Sequence, residues 1–391
     1  MYLYKNKNMF PTISSLSEYL FGTPVSIPIP TFGVFVALAF VLSYLTVLSE
    51  FKRKEKEGRI KPWQKTVKAG EGASLPDYLE YGFLGFLLGF KVIGALVYYQ
   101  QFSLGPLKFI FSLHGSWSAG FLLCITFSGL IYWQKKQELI RPTPATTVIF
   151  HPYQLMPKLI IWAALWGFLG AKVFNFLEHI QVYSSYSFTD FLKYSGLTFL
   201  GGLTFGAISY LYIGYKNGMK LIHLADIGSP GMLVAYGVGR IGCQLSGDGD
   251  WGIINRYPKP FAWLPDWMWS FRFPHNVLNE GVYIQGCSGN YCSVLSDPVY
   301  PTSFYESVII LGCFSVLWGL RRKIQLPGLM FCFFLLIMGA ERFLMEEIKL
   351  NFKYEIFGLH LSEAQIVSLC FLLLSLLIAA NIFVNKKGRP F

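Results

Sequence analysis

At 391 residues the chain is 53% hydrophobic and 18% aromatic, with only 14% charged residues and a mean hydropathy of +0.43. Soluble domains carry about 25% charged residues, so this composition excludes a disordered chain, argues against a soluble enzyme and belongs in a bilayer. The net charge of +11 would suggest nucleic acid for a soluble protein. In a membrane protein it is accounted for by cytoplasmic loops rich in Lys and Arg, and no nucleic-acid partner is expected. The seven cysteines show no zinc spacing and most stand in apolar runs, so neither a metal site nor a cofactor is expected.

Taken in chain order, Met1–Gly22 lacks the apolar core of a secretory signal, because Pro11, Ser14 and Ser15 interrupt it. Residues 1–30 read as an external N-terminal arm with an amphipathic segment on the outer interface. About nine stretches then approach the roughly 20 apolar residues that a spanning helix needs. Thr31–Ser49, Trp117–Trp133, Ser195–Gly214 and Ala364–Val384 carry no charge. Tyr81–Tyr99 holds Lys91, Leu159–Leu177 holds Lys172, and Ser303–Leu320 holds Glu306. Ile227–Leu245 contains Arg240 and enough glycine to make it the weakest helix former of the set. Ile324–Glu346 ends on Glu341, Arg342 and Glu346.

The expected fold is an all-α integral membrane protein, a single polytopic domain over residues 1–391. Its connecting segments alternate in charge: those at 51–80, 134–158, 215–226, 321–323 and 385–391 hold 20 of the 33 basic residues. That asymmetry places the C-terminus in the cytoplasm and, with an odd span count, the N-terminus in the periplasm. The loop 246–302 then falls on the periplasmic side. There Cys287 and Cys292 form a disulfide or remain two free thiols; an oxidising compartment permits the first, and spacing alone does not choose.

An internal similarity runs through the first half. Gly89–Val92 (G-F-K-V) resembles Gly170–Val173 (G-A-K-V), and the same offset pairs Gly115 with Gly196 and Gly120 with Gly201. Residues 78–134 thus read as an extra hairpin resembling 158–214, unless the matches are chance between glycine-rich spans. Lys91 and Lys172, at matching positions, either snorkel or meet an anionic ligand.

The charged residues in apolar surroundings carry the functional reading. Arg240 lies between Gly239 and Gly242, which let a ligand approach the backbone, and a guanidinium there suits bidentate binding of a phosphate. The bland alternatives are snorkelling and an ion pair with Glu306. Asp248 and Asp250 follow on the turn S-G-D-G-D. Arg342 and Glu346 share a helix face at a spacing of four; Glu341 and Glu347 beside them read as an interfacial salt-bridge cluster. Pro301 fits a helix start that Thr302 or Ser303 would cap. Tyr305 is either a membrane-edge aromatic or part of a site, and Glu306 has the better functional claim. His114 is a candidate general base or a polar helix cap.

Together these segments resemble the prolipoprotein diacylglyceryl transferase family. The signature G-R-I-G-N-F-x-N-G-E-x-x-G is similar to Gly239–Gly252 with one extra residue, preceded by Asp226 and Pro230. The later family elements H-P-T-Q-L-Y-E and R-F-x-x-E are similar to Tyr300–Glu306 and Arg342–Glu346. The resemblance implies a bacterial inner-membrane enzyme that moves diacylglyceryl from phosphatidylglycerol, or another anionic phospholipid, to the lipobox cysteine of prolipoprotein signal peptides. It implies catalytic roles for Arg240, Arg342 and Glu346, with His114 or a carboxylate assisting deprotonation of the thiol. It implies a substrate site of Arg240, Gly242, Cys243, Asp248, Gly252, Tyr305, Glu306 and Arg342. Several family positions differ: Cys243 stands for Asn, Tyr300 for His, Met338 for a Tyr, and Leu200 for a His that His114 of the other hairpin would replace. The tyrosine of a first-span element is also lost at Thr31–Gly33. A catalytically inactive member that binds lipid or acts as a scaffold is the alternative reading.

Overall fold

The computed structural model describes residues 9–22, 29–67, 74–104, 109, 112–140, 146–178, 198–351, 353–356 and 358–387. Its longer helices are α1 (Ile13–Phe21), α2 (Thr31–Lys56), α3 (Leu75–Leu87), α4 (Trp117–Ile140), α5 (Met156–Glu178), α6 (Phe199–Lys216), α7 (Leu221–Ser246), α8 (Thr302–Leu320), α9 (Leu329–Met345) and α10 (Glu363–Lys387). The stretches read as spans are largely helical where described; residues 195–197 of the fifth lie outside the described residues. Among the described residues, six helical stretches are long and apolar enough to cross a membrane: Thr31–Lys56, Asp77–Val97, Pro152–Leu177, Leu221–Ser246, Thr302–Leu320 and Glu363–Val384. The other three expected spans are α4, α6 and α9. Strands occur, among the described residues, in three antiparallel pairs that the all-α expectation did not include. These are Trp63–Val67 with Thr146–Phe150, Val282–Tyr283 with Ser293–Val294, and Lys353–Ile356 with Leu359–Ser362.

The chain divides into two compact units, one of Met1–Arg59 with Gly214–Phe391 and one of Ile60–Ile213. In the first, α7 is the central helix and packs against α2, α8 and α9, while α10 covers α9. The glycines that weaken α7 as an isolated helix are what let its neighbours in. A Cβ at Gly237 would lie 2.7 Å from Leu311 Cγ on α8, and one at Gly242 would lie 2.8 Å from Phe35 Cβ on α2. Small residues at such contacts trade helix propensity for close approach. The core between α7, α8 and α9 is built from Leu233, Ile310, Leu317, Leu335 and Met338.

Buried charge fixes the other end of α7. Asp226 is fully buried, and its carboxylate accepts N–H bonds from Gly328 (2.8 Å) and Phe331 (3.0 Å) at the start of α9. Those donors have no partner within their own helix, so Asp226 caps α9 from α7. Lys54 of α2, also buried, stands 3.5 Å from the same carboxylate.

The segment 246–302 forms an ordered cap on this unit. Met9 of the N-terminal arm packs with Phe273 and Val299, flanked by Trp251, Phe271 and Leu295. Asn276 is fully buried; its amide donates to Glu280 O at 3.0 Å and its oxygen accepts from Glu280 N at 2.9 Å. Cys287 and Cys292 are joined by a disulfide.

In the second unit, α3 runs on through a π-helical turn, Leu88–Ile93, and packs along α4. A Cβ at Gly89 would strike the carbonyl of Ala119 on α4. Likewise, α5 meets α6 where a Cβ at Gly170 would lie 2.5 Å from Gly201 O. Lys91 Nζ donates to the carbonyl oxygens of Phe109 (2.8 Å), Ser112 and His114 (2.9 Å), so this ammonium holds the chain that leads into α4.

Candidate functional site

Four charged side chains singled out from the sequence meet around one carboxylate. Glu306, on the first turns of α8, has no solvent exposure. Arg240, near the end of α7, places Nε 2.6 Å from Glu306 Oε2. Arg342, near the end of α9, brings Nη1 to 3.5 Å from Glu306 Oε1, and its Nε lies 3.9 Å from Glu346 Oε2. Three helices thus deliver one charge each to the same place, and Glu346 joins from the turn that ends α9.

Three further residues complete the cluster: Asp250, noted in the sequence only as part of its turn, and Lys349 and Tyr236, which the sequence reading does not include. Lys349 Nζ lies 2.7 Å from Glu306 Oε1 and 2.6 Å from Asp250 Oδ1. Asp250 also pairs with Arg240 Nη1. Tyr236, one turn before Arg240, puts its ring 4.9 Å beneath the guanidinium and points its hydroxyl at Glu306 Oε2, 3.4 Å away. The spacing of four between Tyr236 and Arg240 was visible in the sequence. For Lys349 the signal was its place one turn after Glu346.

The acidic residue of the turn that reaches the arginine is Asp250, whereas the sequence reading put Asp248 in the family's acidic position. Gly247 ends α7 in the left-handed region (φ 64°) and Gly249 continues there (φ 99°), so the backbone reverses and returns Asp250 toward Arg240. Asp248 Oδ1 accepts from Asp250 N at 3.4 Å and so braces the turn. Thr302 and Ser303 do not cap α8 as expected. Both hydroxyls donate to Asp250 O, at 2.7 and 2.8 Å, and tie the start of α8 to the turn.

The remaining residues surround the cluster in different ways. Cys243 is buried with Sγ 3.9 Å from Arg240 Nη1. Gly252 donates its N–H to Tyr300 O at 2.9 Å and bridges to Lys349, and a Cβ there would strike Ile348 O. Gly242 is used in packing against α2. Tyr305 places its hydroxyl 3.5 Å from Trp269 O in the outer segment. His114 belongs to the second unit, exposed, with its carbonyl accepting from Lys91. Leu200 lies in α6. Glu347, read as part of a surface ion-pair cluster, pairs with Lys353 and accepts from Gln365 Nε2 at 2.6 Å. Glu341, read the same way, makes no ion pair among the described residues; it is buried, and both carboxyl oxygens lack a hydrogen-bond partner there.

Electrostatically the cluster balances three cations, Arg240, Arg342 and Lys349, against Asp250, Glu306 and Glu346. Arg240 is spent on two carboxylates, while Arg342 Nη1 has no hydrogen-bond partner among the described residues. Lys349 lies beyond the end of α9. Burial pushes its ammonium down to about 8, against the pull of Glu306 and with Arg342 and Arg240 adding to the fall.

A sequence model of the prolipoprotein diacylglyceryl transferase family matches residues 131–381, well over half of the chain. The chain belongs to that family. The match contains every member of the ion cluster and leaves His114 outside. Among similar proteins is a phosphatidylglycerol–prolipoprotein diacylglyceryl transferase of Thermus thermophilus, 27% identical over 247 residues, which cover 59% of this chain and 85% of the relative. Proteins of the same name from Corynebacterium diphtheriae and Staphylococcus aureus are 25% and 24% identical over 234 residues. Those matches cover 59% of this chain and 77% and 75% of the relatives.

Proposed function

We propose that the protein transfers the diacylglyceryl group of phosphatidylglycerol to the thiol of a lipobox cysteine in prolipoprotein signal peptides. The observation that carries the reading is the convergence of Arg240 and Arg342, from separate helices, on Glu306 within the family-matched region. A phosphodiester accepts hydrogen bonds and carries one negative charge, and guanidinium groups in low dielectric suit it. Arg342, paired more loosely with Glu306 at 3.5 Å and the more exposed of the two, makes the first contact. Arg240 exchanges part of its pairing with Asp250 or Glu306 for the phosphate. In the transfer the thiol sulfur attacks the glyceryl carbon, a C–S bond forms and the C–O bond to phosphate breaks. Glycerol phosphate leaves with the bonding electrons, and the thiol proton passes to a base. Fixed cations beside the departing phosphate stabilise the charge that develops there. A thiol near pKa 8.5 needs a base at neutral pH, and a carboxylate of the cluster is the proposed acceptor of its proton. Cys243, Gly252, Asp248 and Tyr305 frame the substrate site, and no metal or cofactor enters the scheme.

The proposed setting is the bacterial inner membrane. The chain crosses it nine times, with a periplasmic N-terminal arm (1–30), a periplasmic segment 246–302 and a cytoplasmic C-terminus. The bias of Lys and Arg toward one set of loops supports this orientation. Residues 78–134 form an extra hairpin related to 158–214; the glycine contacts at Gly89 and Gly170, at matching positions, support the duplication. Purified protein, phosphatidylglycerol vesicles and a lipobox peptide test the activity: the peptide should gain one diacylglyceryl mass as a thioether. A peptide unchanged after prolonged incubation with folded protein would overturn it.

A further inference from the structure

Glu341 stands apart from the ion cluster beside it. It is only 5% exposed, yet neither carboxyl oxygen has a hydrogen-bond partner among the described residues. Leaving buried polar atoms unpaired is costly, so such a group marks a place where a ligand supplies the partner. Its position on α9 follows from helix geometry. Met338 packs in the core against Leu233 and Ile310, and Glu341 follows at i+3 on the same face, toward α7 and α8. Arg342 is its neighbour in sequence.

Two atoms of the cluster are held only by loose ion pairs, Arg342 Nη1 at 3.5 Å from Glu306 Oε1 and Glu346 Oε2 at 3.9 Å from Arg342 Nε. The groups open to a ligand are therefore the two Glu341 oxygens and, more weakly, the Arg342 donor and the Glu346 acceptor. A phosphodiester oxygen answers the donor. The carboxyl oxygens need hydroxyl or amine donors placed a few bonds from that phosphorus. A glycerol headgroup carries two hydroxyls there and no charge. An ethanolamine headgroup also offers donors, and it is the proposed reaction that favours glycerol here; the test below includes both headgroups.

We infer that Glu341 is the specificity residue of the lipid site and binds the headgroup hydroxyls of phosphatidylglycerol while Arg342 holds the phosphate. This rests on the proposed lipid substrate and adds the residue that tells glycerol from other headgroups. A site whose buried acceptors are left unpaired by the wrong ligand rejects that ligand strongly.

The test compares phosphatidylglycerol with phosphatidylpropanol, which has the same charge and lacks both hydroxyls, and with phosphatidylethanolamine. Competition for the full-length protein in detergent is read by native mass spectrometry, so it does not require turnover. The wild type should prefer phosphatidylglycerol over phosphatidylpropanol by about ten- to a hundredfold. Glu341→Leu should lower phosphatidylglycerol affinity to that of phosphatidylpropanol and leave phosphatidylpropanol unchanged. Glu341→Gln, which keeps an acceptor, should retain part of the preference. The Leu variant should melt no lower than wild type, because an unpaired buried carboxyl is replaced by hydrocarbon. Equal loss for all three lipids, no change in preference, or a preference for phosphatidylethanolamine would overturn the assignment. Failure of peptide lipidation with the preference intact would instead count against the transferase reading alone.

Discussion

Removing Arg240 separates its structural from its chemical role, because the structure shows what each loss leaves behind. Arg240→Ala deletes the pairs with Glu306 and Asp250 and the stacking on Tyr236. Breaking a buried pair so that one charge stands alone costs about 3–5 kcal/mol. Neither carboxylate is left alone here, since Lys349 still lies 2.7 Å from Glu306 and 2.6 Å from Asp250. The expected loss of stability is therefore smaller, about 1–3 kcal/mol for the charged hydrogen bonds and the cation–π contact together. Glu306→Ala should be worse, because it removes the hub and sets three cations against Asp250 and Glu346. Arg342→Ala should be mildest in stability, since that side chain is the most exposed of the three. In activity the order changes. In the proposed mechanism each arginine gives a charged bond to phosphate, so either alanine variant should lose about ten- to a hundredfold in transfer from phosphatidylglycerol. Arg240→Lys keeps the charge without the planar fork and should recover only part. Thermal melts in detergent and peptide lipidation measure the two orders. An Arg240→Ala protein that transfers lipid at the wild-type rate would refute the proposed phosphate role. A Glu306→Ala protein that melts with the wild type would refute the hub.

Lipidation should fall as pH rises through about 8, where Lys349 loses its proton instead of keeping it to an ordinary lysine's value. A lysine is charged below its pKa, so deprotonation withdraws a cation from Asp250 and Glu306; Lys349→Arg should move the falling limb to higher pH, and identical profiles would count against this. Asp226→Ala strips the cap from α9 and takes from buried Lys54 its carboxylate at 3.5 Å, a loss of about 3–5 kcal/mol that should show as poor accumulation and a lowered melting temperature. Non-reduced peptide mapping should recover Cys287 and Cys292 as a linked pair, and reduction should lower stability by about 2 kcal/mol for so short a loop. Cysteines added at the two ends should label from opposite sides of the membrane; labelling of both from one side would refute the odd span count.

The helices were legible because a spanning segment writes its burial as an uninterrupted apolar run. Arg240, Glu306, Arg342 and Glu346 were legible for the converse reason: a charge inside such a run is expensive and calls for a partner. Lys349 and Asp250 stand in polar segments, where a charged residue is ordinary. Lys349 is marked only by its place one turn after Glu346, and nothing local shows that Asp250 folds back toward Glu306. The choice between Asp248 and Asp250 depended on two left-handed glycines, Gly247 and Gly249, whose effect on direction is set by backbone geometry. The hydroxyls of Thr302 and Ser303 matched a capping pattern, but a carbonyl from the neighbouring turn was the better acceptor in reach. The short strand pairs escaped notice because two to five residues carry too little periodicity against a helical background.

The two arginines reach one carboxylate through a matched length of helix. Asp226 of α7 binds the first turn of α9 through Gly328 and Phe331, which sets the register of the two helices at that end. From Asp226 to Arg240 is fourteen residues along α7, and from Gly328 to Arg342 is fourteen residues along α9. At the rise of an α-helix both intervals span about 21 Å. Two helices that start level and run the same length deliver their guanidinium groups at the same height. Glu306 then needs only to stand between them, and the hydroxyls of Thr302 and Ser303 hold its helix to the turn that ends α7. The buried aspartate at one end of the bundle and the arginine pair at the other are thus parts of one arrangement.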